Sequence, residues 1–102
     1  MPRFVQVAQR AEIPESGGKS VEIEGKRIAL FRVGDRFYAI DDECPHQGAF
    51  LSEGTVEGEE VECPWHSSRF DLRTGEATGP PADEAVSTYT VRISGEDIEV
   101  EI

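Results

Sequence analysis

Cysteine and histidine are scarce in this chain of 102 residues, which has two of each. All four fall in two short clusters, Cys44-Pro45-His46 and Cys63-Pro64-Trp65-His66, with residues 47–62 between them. Thiolate and imidazole together suit zinc, copper and iron–sulfur centres. Structural zinc also takes two Cys and two His, but its common spacings pair Cys with Cys and His with His. Here each cluster supplies one of each. A single tetrahedral ion can accept that arrangement without requiring it. A two-iron, two-sulfide cluster gives it a reason. Each segment can send its Cys to one iron and its His to the other, so that the cluster bridges the two segments.

Such a bridge needs two loops held side by side. The rest of the sequence reads as short strands separated by turn residues. Residues 4–8 form a first strand, residues 20–24 and 27–33 a hairpin turning at Gly25, and residues 36–41 a strand returning through Gly34-Asp35. Residues 86–94 and 97–102 form a last hairpin through Gly95-Glu96. There Val91 and Ile93, then Ile98, Val100 and Ile102, alternate with polar residues, the mark of a half-buried strand. Two short strands at 55–57 and 60–62 turn at Gly58 and join the Cys/His loops 44–51 and 63–70. A further loop, Gly79-Pro80-Pro81-Ala82, follows. No segment carries a helical period of useful length. The pattern predicts an all-β fold. A single domain spans residues 1–102, with a β base at about 1–42 and 74–102. A small loop-bearing subdomain at about 43–73 is inserted into it.

Composition narrows the functions open to such a domain. Ten basic against 21 acidic residues give a formal net charge of −11. Nucleic-acid binding is disfavoured, because phosphate recognition draws on clustered Lys and Arg, and so is an anionic membrane surface. The acidity reads either as solubility or as a docking surface for basic partners, with Asp41-Asp42-Glu43 and Glu57, Glu59, Glu60 and Glu62 flanking the two Cys/His clusters. No stretch approaches the ~20 apolar residues of a membrane span, and the opening residues lack the apolar run of a signal peptide. These features predict a cytoplasmic chain, in which two cysteines are better read as ligands or reactive thiols than as a disulfide. Every strand read from the sequence belongs to one small domain, so a monomer is expected.

The segments Cys44-Pro45-His46-Gln47-Gly48, Cys63-Pro64-Trp65-His66-Ser67-Ser68-Arg69-Phe70-Asp71, Thr74-Gly75 and Gly79-Pro80-Pro81 resemble those of the Rieske proteins. Within that family the chain is most similar to the small ferredoxins of bacterial aromatic-ring dioxygenase systems. The resemblance implies three antiparallel sheets and one [2Fe-2S] cluster at a tip, ligated by Cys44, His46, Cys63 and His66, with one edge of each histidine near solvent. It also implies one-electron transfer from a flavin-containing NAD(P)H reductase to a terminal Rieske non-heme iron oxygenase. High-potential relatives tie their ligand loops with a disulfide. Ala49 and Trp65 stand at those positions here. The same relatives place a Ser and a Tyr to donate hydrogen bonds to the sulfurs. Ser68 keeps its hydroxyl and Phe70 has none, so a potential near or below about 0 mV is expected.

Around the ligands, Gly48 reads as a tight turn or a close approach to the cluster. Pro45 and Pro64 stiffen the loops. Trp65 reads as packing beneath the cluster or shaping a docking face, and Pro80 as a shield or a plain rigid loop. Phe50 and Leu51 read either as core or as partner surface. The chain itself lacks the means for catalysis. A mononuclear iron site takes two His and a carboxylate, and the chain's two histidines are already spent. No Gly-rich strand–turn–helix unit for a dinucleotide is present. Other readings stay open: the small Rieske subunit of an NAD(P)H nitrite reductase, the ferredoxin of another oxidoreductase, a redox sensor, or a zinc-stabilised interaction module.

Overall fold

The computed structural model describes residues 3–15, 17–43, 49–64, 68–79 and 85–102. Of the expected site residues, Cys44, His46, Gly48, Trp65, His66 and Pro80 lie outside the described residues. Pro45 and Pro81 do so as well.

Among the described residues eleven strands make three antiparallel sheets, the all-β fold that the sequence pattern predicts and the three sheets that the resemblance implies. The second sheet is the middle layer. It orders β2 (Gly18–Ile23), β3 (Lys26–Val33), β4 (Arg36–Asp41) and β9 (Thr88–Tyr89). The run Ile28-Ala29-Leu30-Phe31 explains its place. All four side chains are buried, where a strand with one wet face would alternate. Ile28 and Leu30 face one core, with Ala8, Ile23, Ile98 and Val100. Ala29 and Phe31 face the other, with Leu51, Val61, Phe70 and Leu72.

The first core is closed by the sheet β1 (Phe4–Gln9), β11 (Asp97–Glu101) and β10 (Val91–Ser94), in the order β1-β11-β10. Ile98 and Val100 bury the inward face of β11, as their alternation predicts. The second core is closed by a third sheet of β5 (Thr55–Glu57), β6 (Glu60–Glu62), β7 (Arg69–Asp71) and β8 (Ala77–Gly79). The second Cys/His loop joins two strands of that sheet, and the first lies between β4 of the middle sheet and β5.

Two expectations change. The stretch 86–94 is not one strand. Thr88–Tyr89 pairs with β4 in the middle sheet, whereas Val91–Ser94 pairs with β11, so the chain changes sheets at Thr90. Tyr89 and Val91 both pack on the first core, so apolar alternation runs unbroken across the change and does not mark it. Ile93, expected to be half-buried, is exposed. The second change is that Arg69–Asp71 and Ala77–Gly79, which overlap the loops read at 63–70 and 79–82 and were not read as strands, are strands. A three-residue strand is too short to show a period.

Turn chemistry fixes the base. Glu24 and Gly25 both have positive φ (51° and 85°), the signature of a type I′ hairpin turn. Gly75 is required twice over. Its φ is +79°, and a Cβ there would lie 2.1 Å from the Val86 carbonyl oxygen. This contact brings the end of the β7–β8 turn against the segment that leads into β9, and the Val86 N–H donates to the Gly75 carbonyl at 2.8 Å.

Candidate metal centre

The first loop leaves the middle sheet at the end of β4. Glu43 and Phe50 form an isolated antiparallel bridge that closes it at its base. Asp42 is fully buried one residue earlier. Its main-chain N–H donates to the Arg27 carbonyl, and its carbonyl accepts from the Leu51 N–H. Its carboxylate accepts from the Ser52 N–H at Oδ1 and from Arg27 Nε at Oδ2, both at 2.8 Å. Burial works to raise the Asp42 pKa, but the donors from Ser52 and Arg27 outweigh it and hold the group below the usual carboxylate range. Ala49 and Leu51 anchor the returning limb in the core. Of the residues left open between core and partner surface, Leu51 is core. Phe50 is half-buried, with the Arg27 guanidinium 3.8 Å over its ring.

The second loop is the tip of the β6–β7 hairpin. Glu62 pairs with Arg69, and the Cys63 N–H donates to the Ser68 carbonyl at 2.8 Å. Cys63 and Ser68 are therefore cross-strand neighbours whose side chains share one face, with Cβ atoms about 5 Å apart as in any such pair. Both are buried. The next pair on that face, Val61 and Phe70, is buried as well. Burial thus aims the Cys63 thiol inward beside the Ser68 hydroxyl, with the hydroxyl-free Phe70 ring next in line.

Gly54 ties the two loops together. After the return limb, a 3-10 turn at Leu51–Glu53 ends at Gly54, whose N–H donates to the Leu51 carbonyl. A Cβ on Gly54 would lie 2.1 Å from the Glu62 carbonyl oxygen. The strand leading to Cys63 thus rests directly on the limb leaving the first loop.

The acidic residues are less free than their sequence suggests. Asp41 accepts from the Tyr89 hydroxyl at 2.7 Å and from the Ser87 N–H. Burial, then the Asp41 hydrogen bond, push the Tyr89 pKa up to about 12. Glu57 and Glu60 pair with Arg69. Glu59 accepts from Tyr38 and pairs with Arg36 and Arg73, and the Tyr38 hydrogen bond leads in holding its pKa down. Asp71 accepts from the Arg73 N–H and side chain within its own turn. An open groove lined by Lys26, Arg27, Glu43, Phe50 and Tyr89 runs beside the first loop.

Among the described residues no three His, Cys, Asp or Glu side chains converge as a metal site, since only Cys63 of the four expected donors is described. The surroundings nonetheless fit the donor set. Two loops, each closed at its base and each bearing one Cys and one His, are held to one another through Gly54.

Residues 3–90 match the family model of the Rieske [2Fe-2S] domain. The chain belongs to that family. One [2Fe-2S] cluster is accordingly the cofactor of this Rieske domain. It is 38% identical to the ferredoxin component of the naphthalene 1,2-dioxygenase system of Pseudomonas aeruginosa, over 98% of this chain and 96% of that one. It is 45% identical to the 3-phenylpropionate/cinnamic acid dioxygenase ferredoxin subunit of Shigella flexneri, over 90% and 87% of the two chains. The solved ferredoxin of carbazole 1,9a-dioxygenase from Nocardioides aromaticivorans superposes with a TM-score of 0.90 at 35% identity, covering 95% of each chain. No helix among the described residues is long and apolar enough to cross a membrane.

Sequence reasoning missed Arg27, Asp42, Ser52 and Gly54 as supports of the Rieske site. Asp42 was grouped with its acidic neighbours as surface. The strand period, extended from the buried Ile40, places Asp42 on the inward face and could have found it.

Proposed function

We infer that the chain is a one-electron carrier, the ferredoxin component of a ring-hydroxylating dioxygenase system. It takes electrons from a flavin-containing NAD(P)H reductase and delivers them to a terminal oxygenase. The observation that carries this reading is end-to-end similarity to ferredoxin components of three such systems, in length as well as in sequence and fold. The chain is an electron-transfer component and not itself the catalyst.

Cys44, His46, Cys63 and His66 hold the cluster, each loop contributing one thiolate and one imidazole. Once bound, the cluster takes up one electron and gives it up again. The protein's part is to hold the donors, tune the potential and present the cluster to partners. Ser68, beside Cys63, offers a hydroxyl to the sulfur. Phe70, where a tyrosine would offer a second, does not. Neutral imidazole ligands with one such donor place the potential in the lower part of the family range, near or below about 0 mV. Gly48, Trp65 and Pro80 surround the cluster on the pattern of the sequence. The chain works as one domain, residues 1–102, with the cluster-binding part at about 43–73. It works as a monomer in the cytoplasm, where its thiols stay reduced until they take iron. A formal charge of −11 steers it to basic surfaces on both partners, at rates that fall as salt rises.

The experiment is reconstitution with the purified reductase and terminal oxygenase of a naphthalene dioxygenase system. A carrier is reduced by the reductase with NADH and reoxidised by the oxygenase, and substoichiometric amounts sustain turnover. A cluster-loaded chain that exchanges electrons with neither protein refutes the assignment.

A further inference from the structure

Asp42 is fully buried on the limb that enters the first ligand loop, its partner Arg27 is half exposed, and an ion pair with a buried member is weak evidence of a role in stability alone. Replacing such a pair by apolar side chains of the same volume is often neutral or stabilising. Asp42 instead joins three parts of the chain that must keep one arrangement. It stands on the outgoing limb of the loop, two residues before Cys44. Its carboxylate and carbonyl grip Ser52 and Leu51 on the returning limb. Its other oxygen and its N–H grip Arg27 at the start of the central strand. Arg27 then reaches over the Phe50 ring, directly opposite Glu43 across the bridge that closes the loop. Both limbs are thus pinned by one carboxylate and one guanidinium.

We propose that Arg27 and Asp42 are positioning residues for the [2Fe-2S] cluster: together they fix the first ligand loop and hold local charge balance, and so set the reduction potential. The proposal rests on the reading of Cys44 and His46 as ligands. Its electrostatic half follows from burial. Asp42 is 0% exposed, so its charge is poorly screened by solvent and is offset by Arg27. As a pair the two add little net field at the cluster. Singly, each adds a field of its own sign. A positive charge left near the cluster favours the reduced state, which carries one more electron, and a negative charge disfavours it.

The variants are Asp42→Asn, Arg27→Gln, the double variant, and Arg27→Lys. Each is purified with its cluster, and its potential is measured by redox titration followed by EPR. Asp42→Asn leaves Arg27 unbalanced and shifts the potential up. Arg27→Gln leaves Asp42 unbalanced and shifts it down. The double variant returns towards the wild-type value, as a coupled pair requires. Arg27→Lys keeps the charge but loses the Nε geometry and the planar stack. It holds the potential and loses visible colour about tenfold faster under mild denaturant, the loss expected of one charge-assisted hydrogen bond.

The Arg27 side chain is 46% exposed, so its replacements leave no buried void and test the proposal even where Asp42→Asn does not fold. A role in packing alone predicts shifts of one sign in both single variants. That result, or unchanged potentials in both, overturns the proposal. Failure of the ligand reading looks different: wild-type protein then carries no iron, or Cys44→Ser keeps the wild-type EPR spectrum.

Discussion

Replacing Gly54 by alanine tests whether the two ligand loops are held together by direct backbone contact. Gly54 has an ordinary φ of −82°, so alanine meets no conformational obstacle there. The obstacle is space. The new Cβ would stand 2.1 Å from the Glu62 carbonyl oxygen and 3.1 Å from the Leu51 carbonyl oxygen, whereas real Cβ contacts essentially never fall under 3.0 Å. The two backbones must part by about 0.9 Å, and both are anchored in the core by Leu51 and Val61. Overpacking of this kind costs about 1–3 kcal/mol, and with backbone on both sides the upper end applies. For a domain of this size 3 kcal/mol lowers the apparent melting temperature by about 12–24 °C.

Gly58→Ala is the matched control. Gly58 has φ +59° but open space around it, so alanine there costs only conformational strain, about 1 kcal/mol or about 4–8 °C. The assay is thermal denaturation of the cluster-loaded protein at one fixed scan rate, followed both by far-UV circular dichroism and by visible absorption. Gly54→Ala bleaches at a much lower temperature than wild type, and lower than Gly58→Ala. A Gly54→Ala protein that melts within about 2 °C of wild type, or later than Gly58→Ala, refutes the reasoning.

Ser68→Ala removes the hydroxyl beside Cys63 and lowers the reduction potential with little change in the visible spectrum, read by redox titration; an unchanged potential removes Ser68 from the tuning of the cluster. Phe70→Ala empties a fully buried position between the third sheet and the core and destabilises by about 3–5 kcal/mol, read by the loss of melting temperature. Tyr89 titrates near pH 12 in the folded chain against about 10 when unfolded, so its contribution is complete below pH 10 and is lost as pH rises to 12. Melting temperature measured across pH 9–12 falls more steeply for wild type than for Tyr89→Phe; parallel curves contradict the assignment.

The fold was legible where side-chain alternation and glycine turns agree. The hairpins turning at Gly25, Gly34 and Gly58 lie where the sequence places them, and the run Ile28–Phe31 marks the strand buried on both faces. The change of sheet at Thr90 was not legible, because alternation reports which face of a strand is buried and not which neighbour it pairs with. The short strands β7 and β8 were hidden for the related reason that three residues cannot display a period. At the site, scarcity made the four donors stand out, since two Cys and two His in two clusters leave few readings. Their supports were not scarce types. Asp42 sits among acids and Gly54 among many glycines, and only tertiary contacts separate them from their neighbours. The acidic run flanking the second cluster likewise reads as open surface, yet Arg69, Arg36 and Arg73, distant in sequence, take up Glu57, Glu59 and Glu60.

The most direct test of the account is the metal content and EPR spectrum of the chain purified without oxygen. Two irons and two acid-labile sulfides per chain are predicted, with no signal when oxidised and a rhombic signal of Rieske type after dithionite reduction. Cys63→Ser abolishes both the colour and the signal. A colourless protein holding one tightly bound zinc, or a Cys63→Ser variant that keeps the rhombic signal, contradicts it.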